Sequence, residues 1–138
     1  MVRYRIIDHT ADIGIEVYGE SLSDLFKNSA FALFDIIADI KDIKEDIELN
    51  IDLEGFNLEE LMVDWLSELL YLSQTKGYIF KETYIEEITD RHLKARAKGE
   101  VFNPKAHMFK IEIKGVTYHM LEVNRRKNYW FARIIFDI

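Results

Sequence analysis

The chain has 138 residues, a net charge of −7, 49% hydrophobic and 31% charged residues, and no cysteine. That length supports one domain with a core large enough to need no staples, and the lack of cysteine excludes disulfides, thiolate metal sites and a cysteine nucleophile. The acidic balance argues against strong direct nucleic-acid binding, which calls for a basic excess or a basic face. It suits a soluble protein, or one that meets a basic protein partner. No apolar run approaches the roughly 20 residues that cross a bilayer, and no basic segment followed by an apolar one opens the chain. The expectation is a cytoplasmic protein with no membrane contact.

Residues 2–8 and 13–18 alternate apolar and polar positions and read as two strands. Between them stands Asp8-His9-Thr10-Ala11-Asp12. Ordinary hairpin chemistry asks for Asn-Gly or Asp-Gly, not for two carboxylates, an imidazole and a hydroxyl. Asp8 or Asp12 as a turn acid bonding its own backbone is the simpler reading. Ser21 then starts a helix with Asp24 at the capping-box position, and residues 21–38 carry the stripe Leu22, Leu25, Phe26, Ala30, Leu33, Phe34 and Ile37. After a charged stretch, residues 47–53 alternate as a strand with one wet face. Asn57 caps a second helix with Glu60 at the box position. Its stripe is Leu58, Leu61, Met62, Trp65, Leu66, Leu69 and Leu72, with Glu59, Glu60, Asp64 and Glu68 on a solvated side. Gly77 after Lys76 is a helix stop.

From residue 78 the chain turns to strands: 78–88, 92–98, an alternating run at 109–114, then 117–123 and 129–138. The stretch 99–108, with the single proline Pro104, reads as a loop, and residues 125–128 as a hairpin tip. The predicted fold is a single α+β domain over residues 1–138, two helices packed on an antiparallel-rich β-sheet. Strand runs outside a helical middle segregate the layers. A strand that reaches Phe136-Asp137-Ile138 holds Asp137 in the sheet, since chain ends otherwise fray.

Both ends of the chain carry a resemblance. Asp8-His9-Thr10-Ala11-Asp12, residues 22–34, Asp64-Trp65-Leu66-Ser67-Glu68-Leu69-Leu70, Ile113-Lys114-Gly115-Val116-Thr117-Tyr118-His119 and Ala132-Arg133-Ile134-Ile135-Phe136-Asp137-Ile138 together resemble the archeases, small accessory proteins of RNA splicing. Gly115 and Asn103 depart from the family pattern, away from the implied ligands. The resemblance implies an activator of the GTP-dependent RtcB-type tRNA-splicing RNA ligase, and not an enzyme in its own right. Such a protein promotes guanylylation of the ligase and multiple turnover, and widens its nucleotide use. It also implies a possible second partner, a tRNA methyltransferase.

The same resemblance implies a divalent metal, calcium first with magnesium or manganese as alternatives, on Asp12, Asp137 and the backbone carbonyl or terminal carboxylate of Ile138. The chemistry agrees with a hard oxygen site, and two carboxylates on one ion must bring their oxygens within about 5 Å. If so, the first turn and the last strand are neighbours in space. Asp8, His9, Lys114 and His119 lie in matching motifs and are candidates for partner contact. For Lys114 the simpler role is a charge partner, and for His9, His119 and the weaker His107 a satisfied structural imidazole. No His-x₃-His spacing supports zinc or iron. Arg125, Arg126 and Lys127 with Tyr129 and Trp130 read as a solvated hairpin tip before an RNA grip. Two other functions compete. One is a chaperone-like modulator of RNA-modifying enzymes. The other is a metal-dependent hydrolase using Asp8, His9, Asp12, Asp137 and His119, for which no nucleophile motif or phosphate loop speaks.

Overall fold

The computed structural model describes residues 2–8 and 11–138. The elements run β1 (Tyr4–Asp8), β2 (Asp12–Gly19), α1 (Leu22–Ile37), β3 (Ile47–Glu54), α2 (Leu58–Lys76), β4 (Tyr78–Ile88), β5 (His92–Val101), β6 (Gly115–Val116), β7 (Glu122–Arg125) and β8 (Trp130–Asp137). Both helices start where the caps dictate. The Ser21 hydroxyl accepts from the Asp24 N–H at 3.0 Å, and the Asn57 side chain accepts from the Glu60 N–H at 2.8 Å. Each cap satisfies an N–H that the helix cannot. Gly77 closes α2 in the left-handed region at φ 71°, a backbone conformation that other residues rarely adopt, and its N–H returns to the Ser73 carbonyl.

The strands are antiparallel throughout, as expected, and divide into two sheets. The first runs β1-β2-β8, and both β6 and β7 pair with the far edge of β8; the second runs β3-β5-β4. Each helix touches strands of both sheets, while no strand of one sheet approaches a strand of the other among the described residues. The helix pair is therefore the shared core. Its residues point both ways: Phe34 meets Phe80 of β4 edge to face at 5.4 Å, and the buried Trp65 indole donates to the Phe26 carbonyl at 3.0 Å. Ile15, Val17, Ala132, Ile134 and Phe136 supply the inner face of the first sheet, and Leu93, Ala95 and Ala97 that of the second. Apolar burial of this kind is the main favourable term of folding.

Several local expectations change. β5 continues to Val101, so the loop begins later than residue 99. The alternation at 109–114 does not make a strand. Phe109 forms an isolated bridge to Ala38, and the Lys110 and Ile111 N–H groups both turn to the Ile37 carbonyl. The segment crosses the end of α1, which offers a carbonyl or two and no ladder. Residues 117–123 break as well. Thr117 bonds the Ile135 carbonyl through both its N–H and its hydroxyl, Leu121 turns back to Tyr118, and Met120 sits at φ 53°. Only residues 115–116 and 122–125 remain paired with β8. Glu59, Glu60, Asp64 and Glu68 are half-buried and not fully solvated. Burial first, then the neighbouring Glu60, push the Asp64 carboxyl above its ordinary range.

A candidate cation site where two strand ends meet

Residues directly opposed across an antiparallel pair share one face of the sheet. The β2–β8 register sets Tyr18 opposite Phe131, Glu16 opposite Arg133, Gly14 opposite Ile135 and Asp12 opposite Asp137. This series lies on the face of the first sheet turned away from the helices, since Ile15, Val17, Ile134 and Phe136 alternate with it in the core. Gly14 is where it is because of its neighbours. A Cβ there would meet the Ile135 and Ile7 side chains at 2.9 Å each, so these two isoleucines close over a bare backbone beside the acid pair.

The charge pattern singles out Asp12 and Asp137. Among the described residues, the opposed charged pairs Arg5↔Glu16, Glu16↔Arg133, Glu122↔Arg133, Glu48↔Lys98, Asp52↔Lys94, Glu82↔Lys98 and Glu87↔Lys94 all join unlike signs. Asp12↔Asp137 joins like signs. Like charges directly opposite destabilise a sheet, and no other opposed pair among the described residues carries that cost.

Its geometry fits a hard cation. Opposed Cβ atoms lie about 4.5–5.5 Å apart, and calcium takes oxygens at about 2.3–2.6 Å, so one ion can be reached from both carboxylates. No group of three His, Cys, Asp or Glu side chains gathers anywhere among the described residues. Among the described residues, the exposed Ile138 next to Asp137 is placed to add an oxygen, and water or a partner can supply others.

Lys114 is brought to the pair through its backbone, its N–H donating to the Asp137 carbonyl at 2.7 Å. Gln74 of α2, which the sequence reading passed over, holds this peptide: its amide reaches the Ile113 and Lys114 carbonyls at 3.2 and 3.4 Å. The only sign of it in the sequence is its place on the outward stripe of α2. His119 is not drawn in. It lies in the exposed turn after β6, whose ends are fastened to Ile135 through Thr117 and to Arg133 through Met120. Asp137 and Arg133 are four residues apart on an extended strand, about 13 Å. Asp8 closes β1 opposite Ile13, and its side chain, like His9 and Thr10, lies outside the described residues.

The remaining candidates have structural partners. His107 is buried, takes the Asn103 N–H on Nδ1 at 2.9 Å, and faces Glu100 at 3.3 Å through Nε2. Arg126 pairs with Glu122 at 3.0 Å and stacks 4.0 Å over Phe131. This is the bonded tip of a hairpin, as its composition implied.

An α+β domain with two helices held between antiparallel sheets, and an acid pair at the open end of one of them, is the class that these features define. The chain belongs to the Archease protein family (MTH1598/TM1083), whose model matches residues 4–138. It is 39% identical over 140 residues to Protein archease of Methanosarcina mazei, covering 99% of this chain and 96% of that one. It is 38% identical over 142 residues to Protein archease of Pyrococcus furiosus, covering all of both. The solution structure of Methanobacterium thermoautotrophicum protein 1598 superposes with a TM-score of 0.82 at 30% identity, over 99% of each chain. The Thermotoga maritima archease, described as a possible chaperone, shares the fold with a TM-score of 0.66 at 23% identity, over 96% of this chain and 94% of its own. Among the described residues, no helix is long and apolar enough to cross a membrane.

Proposed function

We propose that this chain is an accessory activator of a GTP-dependent RtcB-type RNA ligase, and that it acts through a divalent cation held by Asp12, Asp137 and an oxygen of Ile138. Calcium suits the flexible, oxygen-only donor set, and magnesium or manganese would use the same atoms. The observation that carries the reading is the like-charge pair at the open end of β2 and β8, in a chain of archease descent. When bound, such an ion supplies a concentrated positive charge where phosphates and their metals must be arranged.

The protein's own residues have narrower tasks. Asp12 and Asp137 hold their carboxylates on one face because the register fixes them there. Ile7 and Ile135 wall one side with hydrocarbon, which lowers the local dielectric and strengthens the hold on charge. Lys114 stands beside the pair to meet a phosphate or a carboxylate of the partner. In this reading the chain is not itself an enzyme, and the ligase supplies the chemistry. A tRNA methyltransferase is the second partner that family resemblance offers.

Replacing Asp12 or Asp137 with Ala should abolish stimulation of the ligase while far-ultraviolet circular dichroism and melting stay those of a folded protein. Purified ligase, GTP and RNA with suitable ends supply the assay, and turnover beyond one product per ligase is the signal. Undiminished stimulation by both variants would remove the reading. Hydrolysis of a phosphoester by this protein alone would replace it with the hydrolase.

A further inference from the structure

The failed strand at residues 109–113 leaves an unusual surface. In Phe109-Lys110-Ile111-Glu112-Ile113 the alternation is that of a half-buried strand, yet only Ile113 is buried. Phe109 is 52% exposed, Ile111 38% and the preceding Met108 65%. Large apolar side chains standing together in solvent mark interaction sites more than single ones do. Beside them, Ile37, Leu70, Ser73, Gln74, Phe109 and Ile113 line an open groove of about 470 Å³ between the end of α1, the second half of α2 and the crossing segment. Tyr71, 58% exposed, stands on α2 less than a turn before Gln74.

The groove adjoins the backbone that carries the acid pair, on the helix side of the sheet. Gln74 lines the groove and holds the Ile113 and Lys114 carbonyls, and the Lys114 N–H holds the Asp137 carbonyl. Charge narrows what docks there. A second copy of this chain would set one net charge of −7 against another and bring two acid pairs toward each other. A partner with an apolar anchor for the groove, and basic residues or its own metal facing Asp12 and Asp137, meets complementary surface at both ends. The Lys110 ammonium is held on the Asp35 carbonyl at 3.0 Å.

We infer that Met108, Phe109, Ile111 and the groove behind them are the docking surface by which the activated enzyme is gripped, separate in role from the acid pair that acts on it. The inference rests on the activator reading above and adds the surface that reading lacks. It divides affinity from effect. Phe109→Glu and Ile111→Glu should each raise the dissociation constant for the purified ligase by on the order of tenfold or more, as loss of a central apolar anchor does. Stimulation should return to the wild-type level when the variant is added in excess. Asp12→Asn should bind within about threefold of wild type and stimulate at no concentration. The milder Phe109→Ser, with a melting curve for each variant, separates lost contact from lost fold, and Phe56→Glu, on another exposed aromatic away from the groove, should change nothing.

Unchanged affinity of the Phe109 and Ile111 variants, beside a wild type that does stimulate, overturns the docking surface and leaves the activator reading standing. A wild type that neither binds nor stimulates the ligase overturns both. A dimer in sedimentation that Ile111→Glu dissolves would assign the groove to a second copy and overturn the inference as stated.

Discussion

The two sheets use charge in opposite ways. On the outer face of β3-β5-β4, every opposed charged pair joins unlike signs. Arg96 binds Glu48 at 2.7 Å and Glu86 at 2.9 Å, His92 meets Asp52 at 2.7 Å, and Tyr84 lies among Lys27, Arg96 and Lys98 at 5.2–5.4 Å. This is a face made to stay in water, with each charge answered across the strands. On the outer face of β1-β2-β8, Arg5, Glu16 and Arg133 join unlike signs in the same way. Two residues beyond Gly14 the pattern reverses, and Asp12 stands against Asp137. Placed side by side, the sheets teach that a charged face by itself says little about function, whereas one row that breaks its own sheet's rule says much.

The largest expected effect that tests this contrast is the response to a cation. Calcium at a hundredfold excess over its dissociation constant should stabilise the wild type by about 2.7 kcal/mol, read as a rise in melting temperature. Asp12→Asn should lose that rise, and Glu48→Gln, on the settled face, should keep it. An equal rise in all three would erase the distinction between the sheets.

Next in size is the same pair without metal. In chelator, Asp137→Asn should stabilise the protein by roughly 0.2–1 kcal/mol, because it removes like-charge opposition. Denaturant unfolding at low ionic strength is the sensitive measurement, and a loss of stability there would show that the pair is not in opposition.

The smallest effect belongs to the settled face. The Arg96 guanidinium, hydrogen-bonded to Glu48, holds that carboxyl below its ordinary range in the folded protein. A depressed folded value means that the contribution is present above the unfolded value and is lost as pH falls through the folded one. Glu48→Gln should therefore flatten the acid limb of a stability curve slightly and leave the neutral region nearly unchanged. A steeper acid limb would contradict it.

What could be read in the sequence was what local chemistry decides. Ser21 with Asp24, Asn57 with Glu60, and Gly77 after Lys76 mark helix ends within four residues, and the backbone obeys them. The alternation at residues 109–114 was just as plain and was misleading. Period two states that side chains take opposite sides, but not that a second strand waits alongside. The neighbour here was the end of α1. Residues 117–123 broke for a similar reason, with Thr117 fastening to Ile135 and Met120 turning the chain. The meeting of Asp12 with Asp137 is a matter of register between the first and last parts of the chain. No window of sequence contains it, and resemblance, not periodicity, pointed there. Gln74 went unnoticed because a polar residue on the wet side of a helix has no distinguishing mark until its partners are known.

The position of β8 has one more consequence. It lies inside its sheet, with β2 along one edge and β6 and β7 along the other. It follows in sequence every strand it pairs with, so during synthesis it emerges after its neighbours on both sides. The first sheet thus lacks its inner strand until translation reaches residue 137, and only then does Asp137 come to stand opposite Asp12. Closing the ladder between β2 and β8 and bringing Asp12 opposite Asp137 are therefore one event.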